Sequence, residues 1–289
     1  MNLKRKTPAL VAAGALVVGG SLLAATAPAT AGSSGASERV AQGKNNDPLV
    51  VRLKSNDNKT VVSRDHFRPG VTEFKVTKTA KKNSSIVIVQ SENLERSFKL
   101  LNKAFGGGTG SADAMKKFDK ITTLYSGAGR DGRWQVKLHK GKYYALDSNT
   151  NNVTSFRVKG ERRSAHMKRG DSEITTTKDN MFRTSGPIQG PWVRFTNNSR
   201  EVHFAEADHV KESTTNKDVR KALQSNKQPK WILRGGFFLE IESPGISTVH
   251  KVDVPGDKVL LICFMPSEEQ DGVPHAFMGM WKLNQSRKS

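Results

Sequence analysis

The sequence predicts an all-β protein, built as two Greek-key β-sandwiches in tandem with one short helix in each. Three observations lead there. From Leu49 onward the chain falls into short β-branched and aromatic runs separated by Asn, Asp, Gly and Pro. Several runs alternate polar and apolar residues, the period of a strand with one face in a core. The order of elements then recurs, as a repeat of roughly 110 residues carried by element order and not by identity. Two Greek-key sandwiches in succession give that pattern.

The elements follow in order. Lys4, Arg5 and Lys6 open a basic segment, an apolar stretch runs from Pro8 to Ala27, and Ala29-Thr30-Ala31 precedes Gly32. This is the layout of a cleavable secretory signal, so residues 1–31 are set apart from the fold. Residues 32–47, rich in Gly, Ser, Ala and Asn, read as a flexible tether. Leu49 to Leu53 is strand-like, with a turn at Asn56-Asp57-Asn58. Thr72 to Thr77 alternates as a half-buried strand, and Ser85 to Gln90 is a continuous apolar run suited to a central strand. Asn93 to Phe105 has helical spacing at Leu94, Phe98, Leu101 and Phe105, and Gly106-Gly107-Gly108 stops it. The glycines from Gly106 to Gly110 read as a flexible loop. Arg133 to Leu138 alternates again, and His139 to Lys142 turns into Tyr143 to Asp147.

The second half repeats the series. Phe182-Arg183-Thr184 and Gly186-Pro187 are set beside Phe67-Arg68-Pro69-Gly70, Trp192 to Asn197 beside Glu73 to Thr77, and Val202 to Glu206 beside the Ser85 run. Asp218 to Leu223 takes the place of the short helix. Ser243-Pro244-Gly245 leads into an alternating run from Ile246 to Val254, and Val259 to Phe264 stands where Tyr143 to Leu146 stood. The expected organisation is a first domain at 48–159, a polar linker at 160–172 and a second domain at 173–289. The Glu173 to Thr177 stretch is a candidate first strand of that domain.

Charge and cysteine content narrow the function. The chain carries a formal +20; the first 31 residues hold three basic and no acidic residues, which leaves +17 beyond them. Such a surface attracts polyanions, so anionic cell-wall polymers or a membrane surface are the expected contacts. The basic residues are scattered, without the aromatic interleaving that stacks bases, so no specific nucleic-acid binding is expected. Beyond the signal, no run approaches the roughly 18 apolar residues of a membrane helix. Cys263 is the one cysteine. An exported chain with a lone thiol exposes it to oxidation unless the thiol is buried or metal-bound.

The C-terminal hundred residues carry a more specific pattern. A strand ends in Thr196-Asn197-Asn198, Val202-His203-Phe204 follows with a central histidine, and after a short helix and two Pro-Gly turns comes Val259-Leu260-Leu261-Ile262-Cys263-Phe264. The end is Gly272-Val273-Pro274-His275-Ala276-Phe277-Met278-Gly279-Met280. Over about 186–283 this resembles the secreted cupredoxin-like proteins of high-GC Gram-positive bacteria, and by element order it extends weakly to about 48–159. The resemblance implies a Greek-key sandwich and a copper site made by His203, Cys263, His275 and Met280, with Met278 as the substitute axial donor. Two imidazoles, a thiolate and a weak axial thioether are what a mononuclear blue-copper centre uses.

One departure stands out. Eleven residues, Phe264 to Pro274, separate Cys263 from His275, where ordinary cupredoxins have two to five. The chain must leave Cys263, turn through the polar Ser267 to Gly272 stretch and come back. Against a copper site stands a second reading: Cys263 as a small buried hydrophobe in an apolar strand and His203 as a hydrogen-bonded core histidine. In the first half the positions parallel to His203 and Cys263 fall near Ile86 or Ile88 and near Leu146 or Asp147, so no type 1 centre is expected there.

Enzyme classes find little support. There is no GxSxG, HExxH or P-loop, and no GxGxxG after a strand. The paired His-x-His motifs of multicopper oxidases are missing, and Cys263 lacks the adjacent histidine of copper nitrite reductases. The remaining histidines, His66, His139, His166, His209 and His250, stand isolated in the sequence. The expectation is a secreted non-enzymatic module at the cell envelope or beyond. The alternatives are a copper-binding or electron-transfer protein and an extracellular adhesion module.

Overall fold

The structure is a computed structural model, and it describes residues 47–81, 84–106, 111–225 and 229–288. The expected signal at 1–31 and nearly all of the expected tether lie outside the described residues, as do Gly107 to Gly110. The described chain is mainly β, with two sheets and three helices longer than one turn.

The first half runs β1 (Leu49–Ser55), β2 (Thr60–Val62), β3 (His66–Phe67), β4 (Gly70–Lys78), β5 (Ile86–Ser91), α1 (Leu94–Phe105), α2 (Ser111–Ile121), β6 (Thr122–Ala128), β7 (Arg133–Leu138), β8 (Gly141–Asp147) and β9 (Val153–Val158). The second runs β10 (Ser172–Thr176), β11 (Phe182–Thr184), β12 (Ile188–Gln189), β13 (Trp192–Asn197), β14 (His203–Val210), α3 (Asn216–Leu223), β15 (Ile232–Glu242), β16 (Ser247–Lys251), β17 (Asp257–Ile262) and β18 (Trp281–Arg287), with a 3-10 turn at His275–Met278.

The strands form two sheets. One has the order β11-β10-β13-β16-β7-β4-β1-β2, the other β12-β18-β17-β14-β15-β6-β5-β8-β9-β3. Adding nine to each first-half strand gives its second-half counterpart, and both sheets read symmetrically about their middles. The symmetry places like against like. β7 pairs antiparallel with β16, Trp134 opposite His250 and Val136 opposite Thr248, and β6 meets β15 at Tyr125 and Glu242. Each sheet therefore runs unbroken through both halves.

This order refines the expected repeat. Gly141 of β8 and Asp257 of β17 lie 116 residues apart, slightly more than expected. The Phe182 segment is the counterpart of β2 and not of the strand holding Phe67, because it hydrogen-bonds β10 as β2 hydrogen-bonds β1. A shared Phe-Arg pair is weaker evidence than a ladder partner. The stretch before β10 is tied to both halves. Arg163 donates to the Arg68 carbonyl and the Thr72 hydroxyl, the Lys168 amide donates to Gln135, and Arg194 donates to the Lys168 carbonyl.

The first half also carries a second helix, α2, where one short helix was expected. Asn93 caps α1, its side chain accepting from the Arg96 amide. In α2, Ala114, Met115 and Phe118 share one buried face while Lys117 and Asp113 pair outside at 2.7 Å. That face and that of α1 join a core shared with Ile174, Phe195, Val202, Leu239, Cys263 and Met280 of the second half. A separate aromatic core of Phe74, Trp134, Tyr143 and Phe156 fills the first half.

His250 does not stand alone in the fold. Where β6, β15 and β16 meet, its Nε2 lies 2.8 Å from Thr248 Oγ1, 3.1 Å from Ser126 Oγ and 3.7 Å from Glu242. Burial pushes the His250 pKa down to about 3 and holds the Glu242 carboxyl well above the usual carboxylate range.

Candidate metal centre

Strand alternation aims the first two side chains. Along β17 and its continuation, Val259, Leu261, Cys263 and Met265 enter one core while Leu260 and Ile262 enter another, on the α3 side. On the neighbouring strand β14, Ala205 and Ala207 point into the core that holds Cys263, and His203 shares their parity.

The third comes back through a hairpin. Beyond Cys263 the chain pinches at Pro266 and Pro274, which bridge each other, and the Ser267 amide donates to the Val273 carbonyl at 3.0 Å. Asp271 and Gly272 turn the tip in left-handed conformations at φ 51° and 75°. The His275 amide then donates to the Met265 carbonyl at 2.9 Å. The eleven intervening residues are an excursion that closes on itself, so His275 returns to Cys263 despite the spacing. Pro274 has an extended ψ of 137°, which points His275 into the 3-10 turn.

His203, Cys263 and His275 are each fully buried, and their three ligand atoms lie within 4.8 Å of one another. Cys263 Sγ is 3.6 Å from His203 Nδ1 and 4.0 Å from His275 Nδ1. Three donors bound trigonally at about 2.0–2.3 Å from one centre stand about 3.5–4.0 Å apart, so the spacing suits a metal ion. The donor set, two imidazoles and a thiol, is compatible with copper. Met280 is buried too, its carbonyl accepting from the Cys263 amide at 3.3 Å, whereas Met278 is half-buried.

Both imidazoles are held from behind. His275 Nε2 is 2.8 Å from Glu201 Oε2, and His203 Nε2 is 3.1 Å from Asn180 Oδ1. Asn180 Nδ2 donates to Glu201 Oε1 at 3.0 Å, and the Glu268 amide donates to Glu201 Oε2 at 2.8 Å. Burial opposes charge on His275, but hydrogen bonds with Cys263 and Glu201 outweigh it and its pKa is pushed up to about 9. Burial, and then the His275 charge beside it, holds the His203 pKa well below the usual histidine range.

No protein-family model matches the sequence, and no curated protein matches it. Blue-copper proteins are among its structural neighbours. Reduced auracyanin from Roseiflexus castenholzii is 15% identical, with 39% of this chain and 94% of that one covered at a TM-score of 0.24. Auracyanin A from Chloroflexus aurantiacus, a "blue" copper protein, is 9% identical, with 39% and 99% covered at 0.25. Fet3p, a multicopper oxidase that functions in iron import, is 10% identical, with 84% of this chain and 52% of that one covered at 0.20. Scores this low add nothing to what the strand order and the side chains show. No helix among the described residues is long and apolar enough to cross a membrane.

Asn180 and Glu201 were not singled out from sequence. Asn180 sits in the turn between β10 and β11, and Glu201 in the bend before β14. The one local signal is the polar Thr196-Asn197-Asn198 end of β13. Asn197 Nδ2 donates to the Glu201 carbonyl at 2.9 Å, and Ser199 Oγ donates to the same carbonyl at 2.8 Å. That strand end fixes the backbone of the residue behind His275.

Proposed function

We propose that the protein is an exported, cupredoxin-like copper protein whose mononuclear centre passes single electrons and does no catalysis. The observation that carries this reading is the convergence of three fully buried ligand atoms, one each from His203, Cys263 and His275, within 4.8 Å, with Cys263 Sγ 3.6 Å and 4.0 Å from the two Nδ1 atoms. His203, Cys263 and His275 would hold the copper, with the buried Met280 as a candidate thioether donor, and the bound ion would supply one-electron redox chemistry.

The chain's own residues do the rest. Pairing of β14 with β17 brings His203, at the start of β14, beside Cys263, the residue that follows β17. The Pro266–Pro274 pinch returns His275 to them. Complete burial of all three donors keeps water away and keeps their geometry constant, which suits electron passage better than substrate entry.

Added Cu(II) is expected to give an intense visible thiolate-to-copper charge-transfer band. Cys263→Ala should abolish the band and weaken copper binding by more than about 100-fold, beyond the loss typical of residues that merely support ligands. Absence of the band in the unaltered protein would sink the reading. Export rests on the Lys4-Arg5-Lys6 segment, the apolar run and Ala29-Thr30-Ala31. Sequencing the secreted protein from its amino end should begin at Gly32, and an intact Met1 terminus would refute cleavage.

A further inference from the structure

Glu201 occupies a position that the ligand set alone does not require. It is almost fully buried, and its carboxylate accepts on both oxygens: from His275 Nε2 and the Glu268 amide on Oε2, and from Asn180 Nδ2 on Oε1. The Ser267 hydroxyl adds a longer donor at 3.5 Å to Oε1. A carboxylate surrounded by donors can only accept.

That fixes protons in two directions. Toward His275, Nε2 must keep its hydrogen, so the proton that a metal displaces from the ring is the one on Nδ1, and Nδ1 becomes the lone-pair atom facing Cys263. Toward Asn180, the amide must present its NH2 to Glu201, so its oxygen faces the other way, at His203 Nε2. His203 Nε2 must then also be a donor, and its Nδ1 is likewise free to bind. One carboxylate thus sets the tautomer of both histidines, one directly and one relayed through an amide that cannot flip without breaking a bond to a charge.

We propose that Glu201 is the positioning residue of the copper centre: it orients both imidazoles for Nδ1 ligation, and its buried charge favours the oxidised metal. The inference rests on the copper reading above. A carboxylate on the outer nitrogen raises imidazole basicity, and the more highly charged Cu(II) gains more from that than Cu(I). The backbone is built to hold the group in place, with Asn197 and Ser199 both clamping the Glu201 carbonyl.

The test is Glu201→Gln, which keeps the size and removes the charge, with Asn180→Gly as a second variant. Glycine suits position 180 because Asn180 has φ 53°. Cu(II) and Cu(I) affinities, reduction potential and thermal stability would be measured on the whole protein. Glu201→Gln should lose about 10- to 100-fold in Cu(II) affinity and less in Cu(I) affinity. The potential then rises by about 59 mV for each tenfold change in the ratio of the two. Asn180→Gly should weaken binding through His203 and leave the potential nearer the starting value. A Glu201→Gln protein that keeps the charge-transfer band with unchanged potential and affinity overturns this inference and leaves the copper reading intact. No band in the unaltered protein overturns both. If Glu201→Gln does not fold, Asn180→Gly decides: weaker Cu(II) binding supports the relay, and unchanged binding refutes it.

Discussion

Glu240 shows what a single buried carboxyl does to this fold. It lies on β15, 3% exposed, with Oε2 unpartnered. Burial pushes its pKa up to about 7, and a hydrogen bond with Ser85 only partly offsets that. The sign of the pH effect follows. The folded protein keeps the proton while the unfolded chain gives it up near the ordinary carboxylate value, so stability is complete below about pH 4.5 and falls as pH rises toward about 7. The loss is about 3 kcal/mol at most. Glu240→Gln is therefore expected to melt higher than the unaltered protein at pH 8 and equally at pH 4, as read by thermal denaturation at both pH values. Residues of this kind were opaque in the sequence, since a Glu inside an alternating strand is indistinguishable from one that faces water. His203, Cys263 and His275 were legible because unusual residue types fell at positions that a known pattern singles out. Glu201 and Asn180 were not, since their roles depend on where two turns meet in space.

The hairpin from Phe264 to Pro274 is the element in which sequence and structure part most. Its length argued against a site, yet its own hydrogen bonds close it and deliver His275. The tip also reaches the first half. A β-carbon on Gly272 would run into the Ser111 side chain at the start of α2, and Glu268 lies beside Asp119 near that helix's end. Burial first, and then the Glu268 carboxyl, hold the Asp119 pKa well above the ordinary range. Gly272→Ala must adopt the left-handed φ of 75° and also displace Ser111, which should cost about 1–3 kcal/mol. A lower melting temperature with the copper band retained is the expected result, and an unchanged melting temperature would show that the tip is not packed as described. α2 escaped sequence reading because a glycine run before it signalled an end, while Ala114, Met115 and Phe118 offered only a short apolar face between lysines. The strands were legible since period two survives in nearly all of them, but pairing across the halves left no local mark.

At the scale of the whole molecule, both sheets cross the middle of the chain, and the helices of the first half share a core with the metal-site strands of the second. Neither half can lose its strands without stripping partners from the other. Calorimetry is expected to show one transition, with calorimetric and van't Hoff enthalpies equal. Two resolved transitions would mean that the shared core contributes little. The paired middle strands also impose a schedule. Trp134 finds its opposite number in His250, 116 residues further along, so the central strands of the first half must wait, with backbone amides bare, until nearly all of the chain is available. Closing so large a loop comes late and slowly, and until it does the waiting edge is the place where one molecule can stick to another.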